Sequence, residues 1–591
     1  MNFQADTFDA SKSTVFSKKT GAVVSRSALA VGVVVTASAC IGHMAMAQTV
    51  PGAGELQQQI EREQQGAAQR VQIQPQNKAA PEAPAVGATL VVRAFRFEGN
   101  TLISDARLTE ALSALVGKPL DFARLQSSAV VVADLYRSQG WVVQTYLPEQ
   151  DIAQGEVRIT IVEAVFGKTR ASGKKSKRVA EQKVLNTVAR QQAAGQFLNM
   201  NDLDRGLLLA DDLPGVSVSG TLAPGEQSGQ TDLVLQMADE PQLTGNVSTD
   251  NTGSISTGTN RALATFSLNS PAGLGDALSV SAMSTPGSRY GRAGYSLPLG
   301  DDGWRVGLSA SRLDYELVSA DYASLNAWGH SSTAGAELSY PMIRSRVFNL
   351  NSMLSVEQKK FFNVSGGATT SAYSNALVSL GLSGNSFDAL GAGGANAFSA
   401  VLTSGELNLN GSATQEADAS TTRTAGSFAK LRYAVSRQQQ LASSVSLYTA
   451  LSGQWASKNL DSSEKFYLGG STGVRAYPSS EGGGSEGHLL NLELRWQLPN
   501  GLSLIGFYDH GQVIQNVNNG YIGAPALNRF ALKGRGLSLG WRHASGLNVQ
   551  ATYARRIGQN PNANSSNVNH VVDQDGTLKL NRLWFTASMA F

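Results

Sequence analysis

From His488 the chain alternates without interruption. Leu490, Leu492, Leu494, Trp496 and Leu498 share one face of an extended segment, and Asn491, Glu493, Arg495 and Gln497 share the other. The next stretch, 502–509, keeps that register, with Leu502, Leu504 and Tyr508 on the apolar side and Ser503, Phe507 and Asp509 opposite. A period of two predicts β-strands. Aliphatic groups on one face and charge on the other suit strands that stand between lipid and a wet lumen. A soluble sandwich strand can alternate as well, but ordinary cores rarely follow one such strand with another like it. Further alternating segments occur at 262–268, 304–313, 334–340 and 547–555, separated by turns of Gly, Ser, Asn and Asp. Residues 241–591 hold enough chain for about 16 strands at roughly 22 residues each, connections included. The last nine residues place Leu583, Phe585, Ala587, Met589 and Phe591 on one face. The predicted fold class is therefore a transmembrane antiparallel β-barrel of about 16 strands, preceded by smaller units.

Those smaller units are α/β. Over 89–164 the pattern predicts a strand at 91–97 stopped by Gly99 and Asn100, then helices at 104–116 and 122–138, then strands at 141–147 and 157–162. Ser104 is the expected N-cap of the first helix, and Val130, Val131, Ala133 and Leu135 are the expected core face of the second. Over 165–240 a similar order follows, with helices at 177–190 and 201–211 and strands at 216–222 and 231–237. Small sheets of this kind have open edges that can pair with an extended chain through the main chain; a rigid spacer is the plainer reading. The basic run Lys174, Lys175, Lys177 and Arg178 has no interleaved aromatics and reads as a solvated loop or a weak electrostatic contact.

Ahead of these units, 48–70 is rich in helix formers yet polar nearly all round, which fits either a solvated helix or one held in polar surroundings. Residues 71–88, with Pro75, Pro81 and Pro84, read as an extended linker. Residues 1–47 read as an export signal: Lys18, Lys19 and Arg26 flank an apolar run at 28–41, and Ala45-Met46-Ala47 offers cleavage before Gln48. Cys40, the one cysteine, lies inside that segment, so thiol catalysis and Cys-based zinc sites are not expected of the mature chain.

Composition narrows the function classes. A charged fraction of 16% with 61 glycines is unlike a disordered chain, and a net charge of +3 over 591 residues gives no footing for a nucleic-acid partner. No run of about 18 apolar residues follows the signal, so a helical membrane protein is excluded. Gly469-Gly470-Ser471-Thr472-Gly473 matches G-x-S-x-G by letters, without the strand and helix that a nucleophile elbow requires. Gly482, Gly484 and Gly487 lack a βαβ unit around them, and the histidines show no ligand spacing. Neither an enzyme nor a cofactor is expected.

The most specific residues are those of the glycine-rich loop at 469–487. Its tetrapeptide Val474-Arg475-Ala476-Tyr477 resembles the VRG(F/Y) motif in the sixth extracellular loop of two-partner-secretion transporters, the haemolysin secretion/activation proteins. Phe507-x-Asp509-x-Gly511 resembles their F-x-D-x-G strand motif. Ala476 departs from the family glycine and is expected to cost some backbone freedom. FRFEGNTLIS and the β-α-α-β-β order resemble a POTRA domain, and Asp212-Leu213-Pro214-Gly215-Val216 resembles the DLPG(V/I) turn of the family's POTRA domains.

The resemblance implies a loop folded back into the barrel with Arg475 paired to Asp509, and a plug made by the N-terminal helix. It implies a location in the outer membrane of a Gram-negative bacterium with the POTRA domains in the periplasm, Phe585, Met589 and Phe591 forming the barrel-closing terminal signal. The implied function is capture and export of an unfolded secreted partner in two-partner secretion, driven by folding of the partner outside. The implied partners are a large β-helical exoprotein, outer-membrane lipid, and the barrel-assembly machinery with periplasmic chaperones. A barrel-assembly factor of the same superfamily and a passive pore are the alternatives.

Overall fold

The computed structural model describes residues 50–68, 89–150, 154–227, 229–567 and 570–591. The export signal, its cleavage pair Ala47 and Gln48, and the whole of the linker at 71–88 lie outside them. Sixteen antiparallel strands close into a barrel, each paired with its neighbour in sequence order, from Leu243–Asp250 to Asn581–Ala590. Closure of the ring is short: the first and last strands share five register partners, from Thr586 with Asp250 to Ala590 with Asn246. The terminal residue extends this seam, because Phe591 and Gly245 exchange backbone hydrogen bonds of 2.9 and 3.0 Å.

Alternation sets the faces. On Leu502–Ile514 the inward Phe507, Asp509, Gly511 and Val513 are buried, whereas Leu494, Trp496, Leu537, Leu539, Leu583 and Phe585 on the strands around it are exposed. Apolar side chains exposed in a continuous band are what a hydrocarbon surround requires. One rim carries tight turns, such as 443–444 and 543–546; the other carries long connections at 457–485, 515–528 and 557–580.

The tight-turn rim holds the α/β units. In the first, Ala94–Glu98 runs parallel to Glu156–Glu163, which pairs antiparallel with Val143–Tyr146 beneath the helices Asp105–Leu112 and Phe122–Ser138. The predicted strand at 91–97 is two pieces, because Thr89–Val91 leaves to pair with Pro119–Asp121. The helix face differs from expectation too. Leu125, Ala129, Val132, Ala133 and Tyr136 are buried, while Val130 is 51% and Val131 37% exposed. Spacings of three and four select the buried set, and a run of adjacent valines cannot all lie on one side. Ser104 occupies the N-cap position without a side-chain cap; the Asn100 amide instead bonds Asp105 at 2.7 Å and the Ile103 carbonyl at 3.0 Å. Beneath this turn, Glu163 accepts from the Thr101 and Leu102 amides at 2.8 and 2.9 Å and from the Tyr136 hydroxyl at 2.8 Å. Burial alone would raise its pKa, but these donors and the Thr101 hydroxyl carry it below its ordinary value.

The second unit repeats the layout. Val165–Ser172 is parallel to Gln230–Asp239, which pairs antiparallel with Val216–Pro224 under Glu181–Gln191 and Met200–Asp211. Its first helix begins later than predicted, since the Lys177 amide and Ser176 hydroxyl are held by Asp239 at 2.9 and 2.7 Å. The basic run is thus a tether at the barrel rim, where Arg178 also reaches Gln242 at 2.6 Å. Polar contacts join it to the tight turns, beside Leu209 and Leu213, which pack against Gly303 and Gly275. Arg344 grips Asp212 through bonds of 2.7 and 2.8 Å, Arg346 grips Asp204 at 2.9 and 3.1 Å, and Lys183 reaches Asp301 at 2.8 Å.

Candidate functional site in the barrel lumen

Among the described residues, two elements occupy the barrel interior, and their sequences explain why. The first is the helix Ala53–Ala68. Its Gln57, Gln58 and Gln59 are buried although polar, because they face the inward side of the wall rather than an apolar core. The Ala53 amide bonds Asn363 at 2.9 Å, Gln57 accepts from Ser331 at 2.9 Å, and Glu61 pairs with Lys359 at 2.9 Å. Glu63 pairs with Arg261, which also binds Asp250. These partners come from strands on different sides of the ring, so the helix lies across the lumen. Polar groups taken from water must find partners, and a polar helix in a polar barrel does so.

The second element is the connection 457–485, folded inward from the long-loop rim. Tight backbone packing requires its glycines: a side chain on Gly473 would sit 1.9 Å from the Leu468 carbonyl, and one on Gly469 would sit 2.1 Å from the Pro478 carbonyl. Val474, Ala476 and Tyr477 are fully buried against Leu489, Phe507, Val513, Phe530, Leu532 and Ala554 of the wall. The two elements touch, since Arg62 of the helix donates to the carbonyls of Tyr467 at 2.6 Å and Gly469 at 2.9 Å.

Arg475 is the centre of this loop. Its Nε and Nη2 donate to the two carboxylate oxygens of Asp509 at 2.9 and 2.7 Å, and its backbone amide donates to the same group at 3.0 Å. Nη1 donates to Glu493 at 2.8 Å, and the guanidinium lies 3.5 Å from the centre of the Phe507 ring. Asp509 is 0% exposed and takes a further bond from Asn491 at 2.7 Å. Its carboxylate is thereby surrounded by donors, and the guanidinium meets two acids and one aromatic face. This is the two-pronged geometry that arginine supplies and lysine does not.

Each member of the strand motif touches the loop: Phe507 stacks under Arg475, Asp509 binds it, and Gly511 leaves room for Leu468, whose Cδ2 would lie 2.6 Å from an added Cβ. Ala476 causes no backbone strain, for it is absent from the positive-φ residues. Its methyl group is instead accommodated by Gly534 on Arg529–Arg542, where an added Cβ would come within 2.8 Å of it. The expected loss of freedom at 476 is thus replaced by a matched pair of small residues.

The sequence pattern passed over several participants. Trp584 donates to the Arg475 carbonyl at 2.7 Å, Arg556 lies 4.4 Å over the Tyr477 ring and pairs with Asp573, and Glu481 holds Asn560 at 3.0 Å. Alternation was the available signal: Trp584 is inward because Leu583 and Phe585 are outward. Phe585, Met589 and Phe591 face outward and are exposed, with the Phe591 ring 6.1 Å from that of Phe266. They face away from the loop and belong to the seam.

The sequence model of the haemolysin secretion/activation protein ShlB/FhaC/HecB matches residues 229–542, and that of the ShlB-type POTRA domain matches 90–164. The heme/hemopexin transporter protein HuxB of Haemophilus influenzae is 28% identical over 475 residues, covering 78% of this chain and 82% of its own. The outer membrane transporter CdiB of Dickeya dadantii is 25% identical over 422 residues, covering 70% and 73%. The solved structure of CdiB from Escherichia coli superposes with a TM-score of 0.69 at 22% identity, over 92% of this chain and all of the other, which shows a shared fold.

Proposed function

The chain belongs to the haemolysin secretion/activation protein family ShlB/FhaC/HecB, and from that membership and the filled lumen we propose how it works as a translocator. It is an outer-membrane transporter of two-partner secretion, with its POTRA domains in the periplasm. Its family acts on secreted exoproteins, which makes a secreted polypeptide its cargo. The finer reading concerns capture and passage. The open strands Ala94–Glu98 and Val216–Pro224 at the edges of the two small sheets take the unfolded partner by main-chain pairing. The chain then passes through the barrel once the helix Ala53–Ala68 gives way.

The observation that carries this reading is a closed barrel whose lumen is filled by two elements, each tied to the wall by buried ion pairs beside a small apolar cluster, Leu56 and Ile60 on the helix and Val474 and Tyr477 on the loop. The helix carries the smaller apolar contact, and its ion pairs to Lys359 and Arg261 can exchange with water. A passive pore has no use for them. In this scheme Arg475, held by Asp509 and Glu493, fixes the loop as one wall of the conduit while the helix is the part that leaves. Barrel-assembly machinery and periplasmic chaperones act during biogenesis.

The test is co-expression with the secreted partner, with the transporter intact or lacking residues 89–240. Export lost while the barrel persists in the outer membrane supports capture by the POTRA domains. Export retained, or a general loss of other outer-membrane proteins, contradicts it.

A further inference from the structure

The outward face of the barrel carries a charge distribution that translocation does not use. On Arg529–Arg542 the outward residues, starting at the long-loop rim, are Arg529, Ala531, Lys533 and Arg535, followed toward the tight-turn rim by Leu537, Leu539 and Trp541. The adjoining Leu547–Arg556 ends outward in Tyr553 and Arg555. On the other side, Leu502–Ile514 presents Tyr508 and then His510. Register brings these into one patch: Arg535 lies directly opposite both Arg555 and Tyr508, and Lys533 directly opposite His510. Direct neighbours on adjacent strands are about 5 Å apart at Cβ, and like charges so placed repel.

Among the described residues, Arg529, Lys533, Arg535 and Arg555 are exposed, and none makes a side-chain hydrogen bond or ion pair. The nearest outward carboxylate, Glu486, is two strands from Arg529 and accepts from the Ala456 amide at 3.2 Å. The far side of the same barrel behaves differently. There the outward Arg312 pairs with Asp314 at 2.7 Å, and Arg289 is directly opposite that same aspartate. Base is balanced by acid on one side and left unbalanced on the other.

Height along the barrel identifies the occupant. The patch begins where the aliphatic band of Leu537, Leu539 and Leu504 ends and Tyr508 and Tyr553 begin, at the level of the outer-leaflet headgroups. A cation there would be costly against hydrocarbon but is favoured against phosphate, which arginine binds through two parallel N–H groups. We propose that Lys533, Arg535 and Arg555 form a binding site for the phosphorylated headgroup of an outer-leaflet glycolipid, with Tyr508 and Tyr553 against the first segment of its acyl chains. The repulsion between Arg535 and Arg555 is then relieved by a headgroup bearing two phosphates rather than by a protein carboxylate.

The full chain, purified in detergent, tests this by native mass spectrometry and by titration with a bis-phosphorylated lipid A. The triple variant Lys533→Gln, Arg535→Gln, Arg555→Gln should bind on the order of a hundredfold more weakly, each lost base near a lipid surface being worth about fivefold. The control variant Arg289→Gln, Arg312→Gln on the balanced side should bind as the parent does. Dephosphorylated lipid A should bind the parent no better than the triple variant, and millimolar inorganic phosphate should not compete. All of these side chains point away from the lumen, so heat-modified gel mobility should remain that of a folded barrel. Equal binding by parent and triple variant, or equal loss in the control variant, would overturn the site. Displacement by inorganic phosphate would overturn the lipid and leave a simple anion site.

Discussion

Removing Arg475 should destabilise the folded-in loop more than removing Asp509, although the two form one pair. In Arg475→Ala the fully buried Asp509 carboxylate keeps only Asn491 and the backbone amide of residue 475. In Asp509→Ala the guanidinium keeps Glu493 at 2.8 Å and the Phe507 ring at 3.5 Å. Breaking a buried pair from one side costs about 3–5 kcal/mol. The arginine variant belongs at the upper end of that range and the aspartate variant at or below the lower. Arg475→Lys should lose about 1.5–3 kcal/mol, because one ammonium cannot serve both acids in this geometry. Replacing both members, as in Arg475→Met with Asp509→Leu, should cost less than the two single changes added together, since Glu493 retains Arg495 at 2.7 Å. A simple charge exchange should fail, because an acid at 475 would face Glu493; adding Glu493→Gln should improve it. The assay is protease protection of the 457–485 loop in the detergent-folded barrel as temperature rises, read beside export of the partner. Equal, small effects of the single variants that add in the double would instead mean that the pair is hydrated and worth about 0–1 kcal/mol, contrary to this picture of a buried pair.

Three other outcomes follow from particular contacts. Gly534→Ala should disturb the loop by bringing two methyl groups within 2.8 Å, and Ala476→Gly in the same chain should restore export and protease protection; a rescue that fails would show that the strain lies elsewhere. Glu61→Gln with Glu63→Gln should free Lys359 and Arg261 from the helix and raise the frequency of open-channel events in planar bilayers, and deletion of 50–68 should give a persistent conductance; unchanged traces would mean the helix does not block the lumen. In the first POTRA domain, the folded pKa of Glu163 lies below its unfolded value, so its contribution is present above that unfolded value, about 4.3, and is lost as pH falls through the folded one. Glu163→Gln should lower domain stability near neutrality by about 1.5–3 kcal/mol and flatten the acid limb, as measured by denaturation of the full chain across pH; an unaltered acid limb would place the sensitivity in another group.

Much of the architecture is legible in the chain because the barrel obeys a local rule. Each outward position meets lipid and each inward one meets a polar interior, so 488–498 and 502–509 reveal their faces without knowledge of their neighbours. The polar helix at 53–68 is legible as a helix, but its surroundings are not, since Gln57 and Glu61 are satisfied by Ser331 and Lys359 nearly 300 residues away. Trp584, Arg556 and Glu493 are hidden as partners of the loop even at separations of 109, 80 and 18 residues, because alternation places them inward but cannot say what they face. Adjacent valines at 130–132 misled for a different reason, because three apolar residues in succession do not show which one a helix buries. Ala476 taken by itself implies lost backbone freedom, whereas its fit depends on Gly534, which lies some 58 residues on as an inward residue of the wall.

A secreted chain that passes through this lumen must travel along its inner wall. A photocrosslinking amino acid at Thr403, which faces inward and bonds Ser379 at 2.9 Å, should capture the partner during export, while the same group at the adjacent outward Leu402 should not. Active export without capture at Thr403, or capture at Leu402 alone, would mean that the polypeptide takes another path.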